Sequence, residues 1–88
     1  MSVHSSHPDI IKRLKRAHGH LKSVITMMED EKACLDVAQQ LQAVESALAN
    51  AKKAFIRDHI DHCLEHTMEA GVTSEDAIRE FKEITKYL

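Results

Sequence analysis

Residues 34–70 read CLDVAQQLQAVESALANAKKAFIRDHIDHCLEHTMEA, followed by Gly71, and contain neither Gly nor Pro. Leu35, Ala38, Leu41, Val44, Leu48, Ala51 and Phe55 recur at three- and four-residue steps, with Ile60 five residues further on, the spacing of one face of a helix. The stretch therefore predicts a single helix from near Cys34 to Gly71, roughly 50 Å long at about 1.5 Å per residue. A chain of 88 residues cannot form a domain that wide alone. The apolar stripe of the far half has to be covered by another copy, so a homo-oligomer is expected from geometry.

Two shorter helices flank the long one. Pro8 suits a helix start, and Ile10, Ile11, Leu14, Ala17, Leu21, Val24, Ile25 and Met28 form a stripe behind it that should end near Glu29 to Glu31. Gly19 lies inside this helix at a cost of about 1 kcal/mol relative to Ala, which suggests a close approach by another backbone or a ligand. After Gly71, Thr73 or Ser74 can cap a third helix with Glu75 and Asp76 in its first turn. It should run to about Lys86 and bury Ala77, Phe81 and either Ile84 or Tyr87. The expected fold is all-α: a three-helix protomer with a flexible arm over residues 1–7 and one helical domain over 8–88.

Composition narrows the class. Phe55, Phe81 and Tyr87 are the only aromatic residues besides histidine, which limits the apolar area one chain can bury and again favours a partner copy. No apolar run is long enough to cross a bilayer, and Met1 to Pro8 lack the layout of a signal peptide. The expectation is a cytoplasmic protein with no membrane partner. Its two cysteines then read as thiolate ligands or buried thiols rather than as a disulfide.

The net charge of −2 hides a segregation along the chain. From Ile10 to Met28 every formal charge is positive: Lys12, Arg13, Lys15, Arg16 and Lys22, with His18 and His20 among them. A basic strip on an acidic body can hold a polyanion through its local field. Taken alone, the strip reads first as a solvated helix face.

His59 and Cys63 are four residues apart and so face the same way on the long helix, where they can share one ion. Cys34 is the other thiol. Imidazole with thiolate suits Cu(I), Zn(II) or Ni(II) and not magnesium or calcium. Cys34 and His59 are 25 residues apart, nearly 40 Å along one helix, and cannot meet within a chain. Two copies packed antiparallel so that Cys34 lies opposite His59 or Cys63 centre their two-fold axis near residues 47 and 48, among Ala43, Ala47, Leu48 and Ala51. The pairing that hides the apolar stripe also assembles the donors between chains, twice per dimer. His4 and His7 could supply an extra nitrogen from the arm; His62, at a four-residue step from His66, faces away from His59 and Cys63. Catalysis is disfavoured. A Cys63–His59 nucleophile pair would lack a phosphate loop, a nucleophile elbow and the chain length for a cleft.

Read together, the basic first helix, Cys34, the run Gln39-Gln40-Leu41-Gln42-Ala43-Val44 and the segment His59-Ile60-Asp61-His62-Cys63 resemble the CsoR/RcnR family of bacterial repressors, from about Pro8 to the C-terminus. The resemblance implies a disc-like homotetramer, a dimer of antiparallel dimers. It also implies that the apo form binds a G/C-rich operator and that an inducer releases it. By position, Arg13 and Arg16 match basic residues used on DNA, with Lys12 and Lys15 beside them. His20 stands where the family has Gln after Gly19, and Lys52 and Lys53 extend the basic surface. Cys34, His59 and Cys63 match the ligands of copper-sensing members, so Cu(I) is the expected inducer, with Glu75 or Glu80 in the position of a carboxylate behind the ligands. Nickel and cobalt sensors add an N-terminal donor, a slot that falls here on Ser2, and formaldehyde sensors share Cys34. Ni(II), Co(II), Zn(II) and formaldehyde therefore remain alternatives. So does a metal-storage or trafficking module with no DNA role.

Overall fold

In a computed structural model the chain forms three helices, α1 (His7–Glu29), α2 (Cys34–Ala70) and α3 (Glu75–Thr85). The structure describes residues 6–70 and 75–88, and the side chains of 6–62 and 75–88. Gly71, Thr73 and Ser74, expected to end α2 and cap α3, lie outside the described residues, as does His4.

The helix α1 opens one residue earlier than the sequence suggests. His7 belongs to its first turn rather than to the arm, Pro8 follows in that turn, where a missing N–H costs nothing, and the Ile10 N–H donates to the Ser6 carbonyl at 3.1 Å. The other end has a defined stop without glycine. Glu31 has φ of 55°, its N–H donates to the Met28 carbonyl, and the Lys32 N–H donates to the Met27 carbonyl at 2.9 Å. These two bonds are the Schellman arrangement, in which a left-handed residue satisfies the last helix carbonyls. The chain then reverses and enters α2 at Cys34.

Helices α1 and α2 pack together, and α3 packs on α2. Their shared seam is a pair of seven-residue lines: Ile10, Ala17 and Val24 on α1, and Val37, Val44 and Ala51 on α2, with Ile56 beyond. Seven residues are close to two turns, so each line stays on one face. Val24, 1% exposed, clusters with Val37 and Val44, and Met27 packs on the cluster.

The stripes read from the sequence are only partly this seam. Ile11, Leu14, Leu21, Ile25 and Met28 on α1 are exposed, as are Leu35, Leu41, Leu48 and Phe55 on α2; Met28 stands at 61% and Leu35 at 70%. Each helix carries two apolar lines, and the two-helix hairpin hides one of each. Tyr87 is exposed, whereas Ala77, Phe81 and Ile84 are half-buried on α3. Gly19 has open space within 4 Å of where a Cβ would stand, so no backbone among the described residues approaches it there.

The chain measures 58 × 26 × 14 Å, with a radius of gyration of 17.9 Å; a closed globule of this length would have about 12 Å. A thickness of 14 Å is little more than one helix. The protomer is thus a single layer, and a layer with apolar residues on its open face lacks the second layer that a folded core requires.

Candidate metal centre and nucleic-acid interface

Cys34 is the first residue of α2, and its thiol is free and exposed. It borders a shallow apolar hollow lined by Met28, Lys32, Val37, Ala38 and Leu41. His59 lies 25 positions further along the same uninterrupted helix, which puts it roughly 37 Å away at about 1.5 Å per residue. Cys63 is one turn beyond His59 on α2; its side chain is outside the described residues. Among the described residues of one chain no group of three or more His, Cys, Asp or Glu side chains is placed to hold a metal.

The His59 end is more enclosed than the Cys34 end. The His59 side chain is 20% exposed, and its Nε2 lies 3.0 Å from Glu80 Oε1 on α3. That nitrogen is buried and has no aligned hydrogen-bond partner, so the pair is a close contact without the geometry of a hydrogen bond. Glu80 itself is 61% exposed. Glu75 opens α3 and is exposed.

Start of α1 and the middle of α2 meet at this end too. The His7 ring stacks on Phe55, with centroids 5.3 Å apart and planes at 24°, and Phe55 is one turn before His59 on α2. His7 is therefore held by a helix and an aromatic contact, which the sequence reading of a loose arm missed. A histidine just before a helix-starting Pro was the available signal. His62 is half-buried.

The donor set suits a soft or borderline cation. A free thiol at one end of α2, and at the other an imidazole with one nitrogen against a carboxylate, are S and N groups of the kind that bind Cu(I), Ni(II) or Zn(II). The carboxylate is where an outer partner that orients a ligating imidazole is commonly found.

The basic residues collect on another surface. Arg13, Arg16 and His20 of α1 line a hollow with Asn50 of α2, and Ala17 and Ala47 lie between them. Lys12, Lys15, Lys52 and Lys53 are exposed; Lys53 is one turn beyond Asn50. His20 Nε2 lies 2.6 Å from Gln40 Oε1, joining the two helices. Asn50 was not among the residues singled out by sequence, since nothing in a lone Asn marks it before the helices are paired.

No helix among the described residues is long and apolar enough to cross a membrane. Residues 6–87 match the family described as "Metal-sensitive transcriptional repressor". The chain is 35% identical over 81 residues to the copper-sensing transcriptional repressor CsoR of Bacillus subtilis (strain 168), covering 88% of this chain and 79% of that protein. It is 34% identical over 65 residues to the copper-sensing transcriptional repressor RicR of Mycobacterium tuberculosis (strain ATCC 25618 / H37Rv), covering 74% and 68%. Among solved structures it is similar to the nickel-responsive transcriptional regulator InrS, with a TM-score of 0.82, 29% identity, and coverage of 97% of this chain and 96% of that one. These relatives are regulators of transcription and not enzymes. A three-helix chain matched from residue 6 to residue 87 belongs to the metal-sensitive transcriptional repressors of the CsoR/RcnR family.

Proposed function

We propose that this chain represses transcription in the cytoplasm by binding operator DNA in its apo form, and that Cu(I) releases it. The ion is bound between two copies, by Cys34 of one and His59 and Cys63 of the other. The observation that carries this reading is the placement of Cys34 and His59 at opposite ends of α2, too far apart to share an ion, with exposed Leu41, Leu48 and Phe55 along the helix between them. An antiparallel second copy laid on that line covers the apolar residues and completes the donor set in one step. Burying a leucine stabilises by roughly 1.5–3 kcal/mol, so the same contact supplies the cohesion of the dimer. Two such dimers form the homotetramer.

Cu(I) accepts two thiolates and an imidazole as a soft ion with few ligands. The residues do the rest. Glu80 holds the His59 ring in place, and Cys34, at the very start of α2, ties the turn that follows α1 to the far end of the other copy. Since α1 carries Arg13 and Arg16, fixing that turn changes how the two basic surfaces are spaced against a duplex. DNA and metal then favour different arrangements, and each weakens the other by one shared coupling energy.

A second reading takes Ni(II) or Co(II) as inducer. It is favoured by His7, whose ring lies on Phe55 one turn from His59 and can offer a further nitrogen, and by the likeness to a nickel-responsive regulator.

The test is an anaerobic titration of reduced protein on a fluorescent duplex from upstream of its own gene, with Cu(I) and Ni(II) in parallel, for wild type and Cys34→Ala. Release by Cu(I), lost in the variant, supports the first reading. Release by Ni(II) alone, weakened by His7→Ala, supports the second. Release by neither metal but by formaldehyde contradicts both.

A further inference from the structure

We propose that the hollow between α1 and α2 is a seat for one phosphate-class oxyanion, and that His20 makes its affinity depend on pH. The seat is formed by Arg13, Arg16 and His20 with Asn50 and has a volume of about 340 Å3. In the repressor the anion is a phosphate of the DNA backbone, so this part of the inference rests on the operator-binding reading; the seat itself does not.

Two guanidiniums and a side-chain amide around one hollow give several N–H donors and two fixed positive charges, the chemistry that holds tetrahedral oxyanions. No acidic side chain lines it. Glu45, on α2, lies on a different face with Leu41 and Leu48. Helix α3 packs on α2 and not on α1 among the described residues, so it brings no charge to the seat.

His20 differs from the other donors because its contribution is conditional. Its Nε2 meets the carbonyl oxygen of the Gln40 amide at 2.6 Å, a partner that only accepts, so the Nε2 proton is committed there. In the neutral ring Nδ1 then carries a lone pair, which offers an anion nothing. Taking up a proton converts Nδ1 into a donor and adds a third positive charge beside Arg13 and Arg16. The groups that face His20 are those two arginines on its own helix and the neutral Gln40 and Asn50 on α2. None of them titrates near neutral pH, where imidazoles do. Anion binding and proton binding are thereby linked: the seat is tight on the acid side of the imidazole's titration and weakens as pH rises through it.

The experiment uses the full-length apo chain, labelled for NMR, with sodium sulfate as probe, because sulfate stays a dianion across the range. At about pH 6, sulfate is expected to shift the His20 ring and the Asn50 side-chain amide and to leave the His18 ring, which is outside the hollow, unmoved. Affinity for sulfate should fall about fivefold by pH 8, in line with losing one charge-assisted hydrogen bond, and His20→Gln should abolish that fall. The same comparison on a 30-base-pair G/C-rich duplex should give a fall in affinity that is smaller in His20→Gln than in wild type. Sulfate that leaves His20 and Asn50 unmoved overturns the proposal, as does a His20→Gln chain that keeps the full pH dependence. Sulfate binding as described, with no binding to any duplex, supports the seat with free anion as its ligand and removes the operator reading instead.

Discussion

His59 on α2 and Glu80 on α3 meet with 3.0 Å between Nε2 and Oε1, 21 positions apart in the chain. In the proposed site this carboxylate stands behind one imidazole nitrogen and the other nitrogen is the one that binds the ion. Removing such an outer partner commonly costs 10–100-fold in metal affinity. Glu80→Gln is therefore expected to weaken Cu(I) binding by about tenfold or more, measured by competition with a chromophoric chelator. Since Glu80 is 61% exposed, urea unfolding of the apo chain should change little. Glu75→Gln, at the exposed start of α3, is the control and should bind as wild type.

Leu48 is 44% exposed in the single chain and lies where the axis of an antiparallel pair is expected. Leu48→Glu loses little inside its own protomer but sets two carboxylates against each other across that axis. Sedimentation velocity should show a smaller assembly than wild type at the same micromolar concentration. An unchanged sedimentation coefficient would mean that this face is not the one that pairs.

Glu31 adopts φ of 55°, a conformation that costs an L-residue roughly 1–2 kcal/mol and glycine almost nothing. Glu31→Gly should stabilise the fold by about 1 kcal/mol, after the entropy that glycine adds to the unfolded chain is set against the relieved strain. A higher urea midpoint with an unchanged slope is the expected outcome. A lower midpoint would show that the side chain does more than cap the turn.

Arg13 is on the basic face and not on the buried seam. Arg13→Ala should leave helix content unchanged and weaken duplex binding by about tenfold. It should also reduce the slope of log affinity against log salt by about one for each copy that touches the DNA. A loss of affinity with no change in salt slope would place Arg13 away from the phosphates.

Much of the architecture can be read from the sequence, because its signals are local. The breaker-free stretch from Cys34, the Pro8 start and the acidic first turn at Glu75 and Asp76 mark the three helices to within a residue or two. The distance between Cys34 and His59 follows from helix rise alone. What the sequence does not show is which of two apolar lines packs inside the chain. Leu14, Leu21, Leu41 and Leu48 look like core because they are large and periodic, yet the hairpin closes on the smaller Ala17, Val24, Val37, Val44 and Ala51, which let the two helices approach. The end of α1 near Glu29 to Glu31 follows from where the stripe stops, but the left-handed turn at Glu31 is illegible because that position holds no glycine. Gly19, which looks like a close-approach site, faces open space in the single chain. Asn50 joins Arg13, Arg16 and His20 only once α1 and α2 are paired, a tertiary fact with no local trace.

The central claim is that the metal site is shared between chains, and subunit mixing tests it directly. Cys34→Ala and Cys63→Ala chains each lack one donor in every site of their own assemblies, and neither should bind Cu(I) tightly. A heterodimer of the two has one intact site: Cys34 comes from the second chain, and His59 and Cys63 come from the first. Unfolding the variants together and refolding them should restore tight, stoichiometric binding at one Cu(I) per heterodimer in an anaerobic competition titration. A mixture that binds no better than either variant alone, or a Cys34→Ala chain that binds as tightly as wild type, would contradict the account.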